Sequence, residues 1–334
     1  MVKQSVRLVL SVCLGAASLC AQQPAPLTLE KTITLTSVTG KFDHFALDEA
    51  GNRLFASATG AGAVLVIDLV SDKVVEKLEG LGKPHGLAWI AETGRLFVSD
   101  GTKGELDVYA GSPLKHVQSI HLAEDADDMI YDAATKLLYV GFGGTNAANP
   151  ARVAVVDAAT LRLIATLPVA SHPEGLEFDP TTDRIFVNVA DSGQVVVIDG
   201  KTREIAARWS LNRCKDNTPL AFDTDKRLLL VGCRTPAEIV VLNGKTGIEG
   251  AAVSSDAGAD DLFFELTTRH AFLITGAGVV DTFAVLADGS LIKLDATQTE
   301  RGAKTGYLDE KGRRLFIGVP GIAGASSIRV YTTK

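Results

Sequence analysis

One short pattern occurs seven times in this chain, and its spacing restricts the fold more than any other feature. A polar or basic residue followed by an apolar run appears in NRLFAS, GRLFVS, KLLYVG, DRIFVN, KRLLLV, RHAFLI and RRLFIG. The matching positions are Arg53, Arg95, Leu137, Arg184, Arg227, His270 and Arg314, at intervals of 42, 42, 47, 43, 43 and 44 residues. Such intervals are typical of four-stranded propeller blades. The sequence therefore predicts an all-β protein, a seven-bladed β-propeller with four-stranded antiparallel blades.

The repeat between residues 172 and 211 shows the order of strands within one blade. It predicts a strand ending at Asp179, followed by strands at 184–189, 194–199 and 204–211. β-Branched runs alternate with Asp- and Gly-containing turns, which favours antiparallel strands. No comparable stretch has the period of a helix.

The two ends of the chain predict how the ring closes. The last repeat stops after its third strand, at 327–331, whereas residues 29–35 alternate like the outermost strands of the other repeats. We expect this N-terminal strand to complete the last blade, because closure removes two exposed sheet edges. Residues 22–334 would then form a single domain.

The repeats resemble a known family in their detailed sequence. His172 to Val187 follows the form H-P-x-G-[apolar]-x-[apolar]-D-P-x-x-x-R-[apolar]-[FY]-V, and Val195 to Asp199 follows V-x-V-I-D. These motifs are similar to those of YVTN-repeat β-propellers, including YncE-like secreted proteins. The resemblance covers essentially the whole chain after residue 21. It implies a propeller that acts mostly as a binding or scaffold module, although some relatives are enzyme subunits.

The N-terminus has the composition of an export signal. Lys3 and Arg7 precede an apolar stretch at 8–19, which is too short to span a bilayer comfortably. We expect a signal peptide at 1–21, cleavage after Ala21, and a periplasmic or extracellular protein with no transmembrane segment in the mature chain. A lipoprotein anchored at Cys13 or Cys20 is the less favoured alternative.

Two cysteines, Cys214 and Cys233, remain after removal of the signal. In an antiparallel hairpin the beginning of one strand lies beside the end of the next, so these two thiols are candidates for a disulfide in an oxidising compartment. The alternative is two unrelated buried thiols.

The residues just before each innermost strand should converge at one mouth of the central channel. Aligning the repeats places two consecutive ring positions there. The first ring reads Asp43, His85, Asp127, Glu174, Thr218, Asp260 and Lys304, and the second reads His44, Gly86, Asp128, Gly175, Pro219, Asp261 and Thr305. His172 lies close to the same mouth in sequence.

This alignment predicts a ligand-binding cluster of carboxylates and imidazoles. Its members are Asp43, His44, His85, Asp127, Asp128, His172, Glu174, Asp260 and Asp261. Such groups bind a divalent cation (Ca²⁺, Mg²⁺ or Zn²⁺) or a cationic or polyhydroxy ligand. The competing interpretations are a water-filled channel whose acids bond to backbone N–H groups, and a catalytic site of the metal-dependent lactonase or lyase type. No catalytic residue is assigned.

The net charge of the chain and the absence of several motifs reduce the number of functions to consider. The formal net charge is −7, and loss of the basic signal makes the chain more acidic, so nucleic acid is an unfavourable partner. The chain contains no C-x-x-C-H, G-x-S-x-G or H-E-x-x-H motif and no phosphate-binding glycine loop. We therefore expect a monomeric, non-catalytic protein that binds a small molecule or a protein partner at the channel mouth.

Overall fold

The computed structural model describes residues 25–36, 38–144, 146–321 and 325–334. The predicted signal peptide, with Cys13 and Cys20, lies outside these residues. Within them the chain forms seven four-stranded antiparallel sheets. The predicted seven-bladed β-propeller is therefore confirmed. None of the helices in the described ranges is long and apolar enough to cross a membrane.

Strands β1 to β28 are numbered in chain order, and each blade is given from its innermost to its outermost strand. Blade 1 contains β2 (Phe45–Asp48), β3 (Arg53–Ala58), β4 (Ala63–Asp68) and β5 (Lys73–Leu78), with a 3-10 turn at Thr59–Ala61. Blade 2 contains β6 (Pro84–Ile90), β7 (Arg95–Asp100), β8 (Glu105–Ala110) and β9 (Lys115–His121). Blade 3 contains β10 (Met129–Asp132), β11 (Leu137–Phe142), β12 (Arg152–Asp157) and β13 (Arg162–Pro168).

The same arrangement continues to the end of the chain. Blade 4 contains β14 (Pro173–Asp179), β15 (Arg184–Val189), β16 (Gln194–Asp199) and β17 (Glu204–Ser210). Blade 5 contains β18 (Lys215–Asp223), β19 (Leu228–Thr235), β20 (Ala237–Asn243) and β21 (Glu249–Ser254). Blade 6 contains β22 (Ala259–Glu265), β23 (His270–Thr275), β24 (Val279–Val285) and β25 (Leu291–Gln298). Blade 7 contains β26 (Gly306–Asp309), β27 (Arg314–Val319), β28 (Ser326–Thr333) and β1 (Leu27–Leu35).

The N-terminal strand closes the ring as predicted. β1 pairs antiparallel with β28, from Leu27 opposite Thr333 to Leu35 opposite Ser326. The last blade therefore gains a fourth strand, and the edge of β28 is covered. The strand is longer by two residues than the sequence pattern indicated, because Leu27 is also buried.

The core consists of apolar layers between neighbouring blades. The second strand of six blades carries an aromatic ring at its third position, and each of these rings is completely buried; they are Phe55, Phe97, Tyr139, Phe186, Phe272 and Phe316. Leu230 occupies the position in blade 5. These buried side chains pack between neighbouring blades in the same way around the ring, so that all seven innermost strands line the same channel.

Two of the recurring arginines form ion pairs within their own blades. Arg53 and Arg314 pair with the Asp48 and Asp309 carboxylates of their own blades, at 2.8 Å in both cases. The sequence alignment was wrong by one residue in blade 5, where β19 begins at Leu228. Arg227 lies in the preceding turn with a φ of 55° and pairs across to blade 4.

The structure joins Cys214 and Cys233 in a disulfide. Their Cα atoms are 5.7 Å apart, and the two residues are separated by 19 positions in sequence. The bond ties the segment that enters β18 to the end of β19. Because Arg234 directly follows Cys233, the bond also fixes the backbone of a residue that reaches the channel.

Candidate functional site

Irregularities at the start of the innermost strands direct the two ring positions toward the channel mouth. In β6, His85 and Gly86 together lie opposite the single residue Ser99 of β7, because the register passes from Pro84–Asp100 to Leu87–Val98. Blades 4 and 5 have the same two-against-one shift, and blade 6 has a shift at Asp260. Such β-bulges re-aim side chains and are frequent beside binding sites.

Small or polar buried residues opposite the bulges satisfy the displaced backbone groups. The Ser99 hydroxyl accepts a hydrogen bond from Gly86 N at 2.8 Å and donates to the Asp127 carbonyl of blade 3 at 2.6 Å. In blade 4, the Asn188 amide donates to the carbonyls of Thr218 and Pro219 in blade 5, at 3.0 and 3.1 Å. Both side chains are completely buried. Each of these two side chains therefore connects one bulge to the next blade.

The mouth opens into a recess of about 640 Å³, which is within the size range of small-molecule sites. Eight of the nine predicted site residues line it, namely Asp43, His44, His85, Asp127, Asp128, Glu174, Asp260 and Asp261. His172 lies behind them and supports Asp127. The sequence alignment thus identified most of the polar wall, whereas Arg234, Lys304 and Glu177 line the recess without having been assigned to the site.

Two aspartates and two histidines form a continuous chain of contacts along blades 1 to 4. His85 Nδ1 lies 2.6 Å from Asp43 Oδ2 and 3.4 Å from Asp127 Oδ1. The other oxygen of Asp127 lies 3.2 Å from His172 Nε2, and His172 Nδ1 lies 2.6 Å from the Gly143 carbonyl. Asp127 is therefore held between two imidazoles.

The contacts among these residues shift the pKa values of His172 and Asp127. Burial alone would lower the pKa of His172, but the hydrogen bond and charge of Asp127 raise it to about 9. Burial alone would raise the pKa of Asp127, but the surrounding imidazoles hold it well below its usual value. The pair therefore carries opposite charges at neutral pH.

His44 lies on the opposite side of the same wall, among three carboxylates. Its Nδ1 is 3.4 Å from Asp261 Oδ1 and 4.0 Å from Asp128 Oδ1, and its Nε2 is 3.6 Å from Asp43 Oδ1. Although burial opposes the charge, these carboxylates raise the pKa of His44 well above its ordinary value. We therefore expect a positively charged imidazole here at neutral pH.

Asp128 and Asp261 also bond to backbone N–H groups, which was one of the interpretations left open by the sequence. Asp261 Oδ2 accepts a hydrogen bond from Gly306 N at 2.7 Å, and Asp128 Oδ1 accepts one from Met129 N at 2.7 Å. Asp128 Oδ2 also reaches across to Leu176 N, at 3.4 Å. These two acids therefore connect neighbouring blades besides lining the recess.

The blade 5 to blade 7 side of the mouth is cationic. Arg234 and Lys304 both pair with Asp260, and Arg234 Nε also donates to the Ala259 carbonyl at 2.8 Å. Burial opposes the charge of Lys304, but Asp260 raises its pKa above the usual value. Arg234 was missed because it lies at the end of a second strand rather than at a ring position. In the sequence, only the preceding Cys233, a candidate for a disulfide, drew attention to this position.

Two glutamates of β14 face the recess without a close cationic partner. Among the described residues, no Lys, Arg or His nitrogen lies within 4.0 Å of the carboxylate of Glu174 or Glu177. Burial, together with the nearby Asp127, raises the pKa of Glu174 to about 7. Burial raises the pKa of Glu177 to about 8, and Asp128 and Glu310 add to the effect. Glu177 was missed because only the two ring positions were compared.

The recess also contains two groups of side chains with the chemistry of metal ligands. Asp43, His44 and Asp127 form one, and Asp127, His172 and Glu174 form the other. Within each group one ligand atom from every residue lies within 4.8 Å of the others. Imidazole and carboxylate together suit Zn²⁺ or a related transition metal.

Comparison with known proteins identifies the fold but no family. No family model matches the chain, and no curated protein matches it. Similar solved structures include a chain of the mitotic checkpoint complex, with 15% identity and a TM-score of 0.76 over 98% of this chain and 99% of that one. A chain of Kuenenia stuttgartiensis hydrazine synthase has 14% identity and a TM-score of 0.76, covering 88% and 97% of the two chains. U3-55K has 11% identity and a TM-score of 0.74, covering 92% and 98%.

Proposed function

We propose that this protein is an exported β-propeller of the YVTN-repeat type that binds a ligand at its channel mouth without converting it. The family assignment is supported by the H-P-x-G and V-x-V-I-D motifs of its repeats. The periplasmic or extracellular location is supported by the basic and apolar N-terminus and by the disulfide. A binding role also agrees with the use of propellers as scaffolds, as the neighbour from the mitotic checkpoint complex illustrates.

The observation that carries this proposal is the recess of about 640 Å³, whose wall combines carboxylates with basic side chains. Carboxylates dominate the wall formed by blades 3 and 4, whereas Lys304 and Arg234 lie beside Asp260 on the wall formed by blades 5 to 7. These side chains lie on the innermost strands, directly before them or, for Arg234, near the end of β19. A preformed polar recess of this kind favours orientation of a small polar molecule.

A binding screen with a chemical control tests the proposal. Small organic cations and polyhydroxy compounds would be tested by isothermal titration calorimetry on wild type, on Glu174→Gln and on the exposed control Glu204→Gln. We expect a ligand whose affinity falls in Glu174→Gln and is unchanged in the control. NMR spectra of that ligand should remain unchanged during prolonged incubation with protein. Turnover that depends on Glu174 would contradict the non-catalytic assignment.

A second candidate function, a metal-dependent enzyme of the lactonase or lyase type, is favoured by the two potential metal-ligand groups. They share Asp127, so loss of its carboxylate would weaken both. A bound divalent ion would act as a Lewis acid and would lower the pKa of a bound water molecule. Elemental analysis of purified protein before and after chelation tests this candidate. A stoichiometric ion that is lost in Asp127→Asn and kept in Glu204→Gln would support it, and metal-free protein with no thermal stabilisation by Zn²⁺, Mn²⁺, Ca²⁺ or Mg²⁺ would exclude it.

A further inference from the structure

Below the mouth, the recess is lined by an apolar belt that contains a single carboxylate. Glu177 lies two residues before the end of β14, and the other blades carry apolar or phenolic residues at this position. These residues are Ala46, Ala88, Ile130, Ala221, Phe263 and Tyr307. Apolar surroundings of this kind disfavour the charged form of a carboxyl group.

None of the described basic residues pairs with Glu177. In the part of the chain that the structure describes, no ion pair includes Glu177 within 4.0 Å, and the acids Asp128 and Glu310 disfavour its charge. The basic residues of the recess, Arg234 and Lys304, are both engaged by Asp260. The carboxyl of Glu177 is therefore largely protonated at neutral pH, and a cation bound beside it would favour the ionised form.

An unused hydrogen-bonding group lies at a ring position of the same recess. The Thr218 side chain is only 4% exposed, lines the recess, and its Oγ1 has no hydrogen-bond partner among the described residues. Buried polar groups are rarely left without a partner. The hydroxyl is therefore an unsatisfied polar group in the wall of the recess.

Three carboxyl groups follow one wall of the recess. Glu174 is at the mouth, and Glu177 is three residues further along the same strand, beyond the bulge at Glu174 and Gly175. Asp128 of blade 3 reaches this strand between them, at Leu176 N. Anionic groups thus lie at both ends of a short apolar segment that Phe263 and Tyr307 help to line.

We propose that the recess binds an organic diammonium ion, with one ammonium group at Glu177 and the other at Glu174 and Asp128. The apolar chain between the two nitrogens lies against the belt, and Phe263 and Tyr307 add cation–π attraction to the inner ammonium group. The inference rests on the proposed function, since it assigns a ligand class to the same recess.

The test compares three probes of the same length on the full mature protein. Isothermal titration calorimetry with 1,6-diaminohexane, hexylamine and 1,6-hexanediol would be carried out on wild type, Glu177→Gln, Glu174→Gln and the control Glu204→Gln. We expect the diamine to bind wild type most tightly and to lose at least tenfold in affinity in Glu177→Gln. The control variant should match wild type, and the diol should not bind at the same concentrations.

The outcomes separate this inference from the broader proposal. Equal affinity of wild type and Glu177→Gln for the diamine, absence of diamine binding, or equal binding of the diol would overturn the inference. If another ligand still bound in a Glu174-dependent way, the proposed function would stand while the diammonium assignment failed. If diamine binding depended on Glu177 but not on Glu174, the inner site would stand and the role of the mouth would be refuted.

Discussion

Replacing Glu177 by Gln should stabilise the fold, and the gain should increase with pH. The structure surrounds this carboxyl with an apolar belt, and burial raises its pKa from an ordinary 4.5 to about 8. A raised carboxyl pKa means that the folded state holds the proton more tightly than the unfolded state. The contribution of Glu177 to stability therefore decreases as pH rises from about 4.5 to about 8, and is constant outside that interval.

The size of the effect follows from the same two values. Each pKa unit corresponds to about 1.4 kcal/mol, so the full difference is about 5 kcal/mol above pH 8. Water in the recess and relaxation of its wall reduce the cost of the charge, and we expect about 2–4 kcal/mol. At pH 4 the side chain is protonated in both states, so Gln, which has nearly the same shape, should change stability little.

Urea denaturation at pH 4, 6, 7.5 and 9 measures the prediction. The quantity to compare is the free energy of unfolding of Glu177→Gln minus that of wild type, because other groups titrate equally in both proteins. Glu204→Gln, on the exposed outer strand of the same blade, provides the matched control and should give a difference that is independent of pH. A difference for Glu177→Gln that is constant with pH, or a variant that is less stable at pH 9, would refute the reasoning.

Three further predictions concern the scaffold of the site. Replacing both Cys214 and Cys233 by Ala opens a loop of 19 residues and should lower the free energy of unfolding by about 3 kcal/mol, with reduced wild type as the comparison in urea melts; equal stability of the oxidised and reduced proteins would contradict this. Ser99→Ala removes the hydroxyl that connects the bulge of blade 2 to the Asp127 carbonyl of blade 3 and should cost about 1–3 kcal/mol, whereas exposed Ser71→Ala should cost less than half as much. Deleting residues 25–35 exposes the edge of β28 and should cause concentration-dependent association, measured by light scattering; a monodisperse, stable deletion variant would argue against a structural role of the closing strand.

The fold could be predicted from the sequence because each blade repeats the same order of strands and turns. β15 and β16 begin and end at the residues that the alternation predicted, and Leu27–Leu35 differs from its prediction only at its beginning. Position 227 shows where the pattern fails. Arg227 matches the arginines of other repeats in type, but it occupies a turn with positive φ, and the apolar Leu228 starts the strand. Residue type alone could not distinguish these two positions.

The site could be predicted from the sequence only at positions that recur in every repeat. The two ring positions emerge from alignment because they lie five and four residues before the last residue of every innermost strand. Ser99 and Asn188 were not identified, because their importance comes from hydrogen bonds to the neighbouring blade, which is remote in sequence. Glu177 was not identified because its environment is formed by six other blades. A comparison of all seven residues at that strand position would have shown a single acid among apolar residues.

The propeller architecture explains why uncompensated charge can persist in the recess. The large buried rings are carried by the second strands of the blades, outside the innermost strands that line the channel. A carboxylate such as Glu177 therefore lowers the stability without interrupting the apolar layers that hold adjacent blades together. A dication that pairs with the carboxylates of this wall should increase the free energy of unfolding. A ligand that binds only the folded state stabilises it according to the ligand concentration relative to Kd. The stabilisation by 1,6-diaminohexane should consequently be larger at pH 8 than at pH 5 in wild type. This pH dependence should be smaller in Glu177→Gln, where Glu174, whose pKa is raised to about 7, still titrates in the same range, so that one measurement connects the charge, the fold and the ligand.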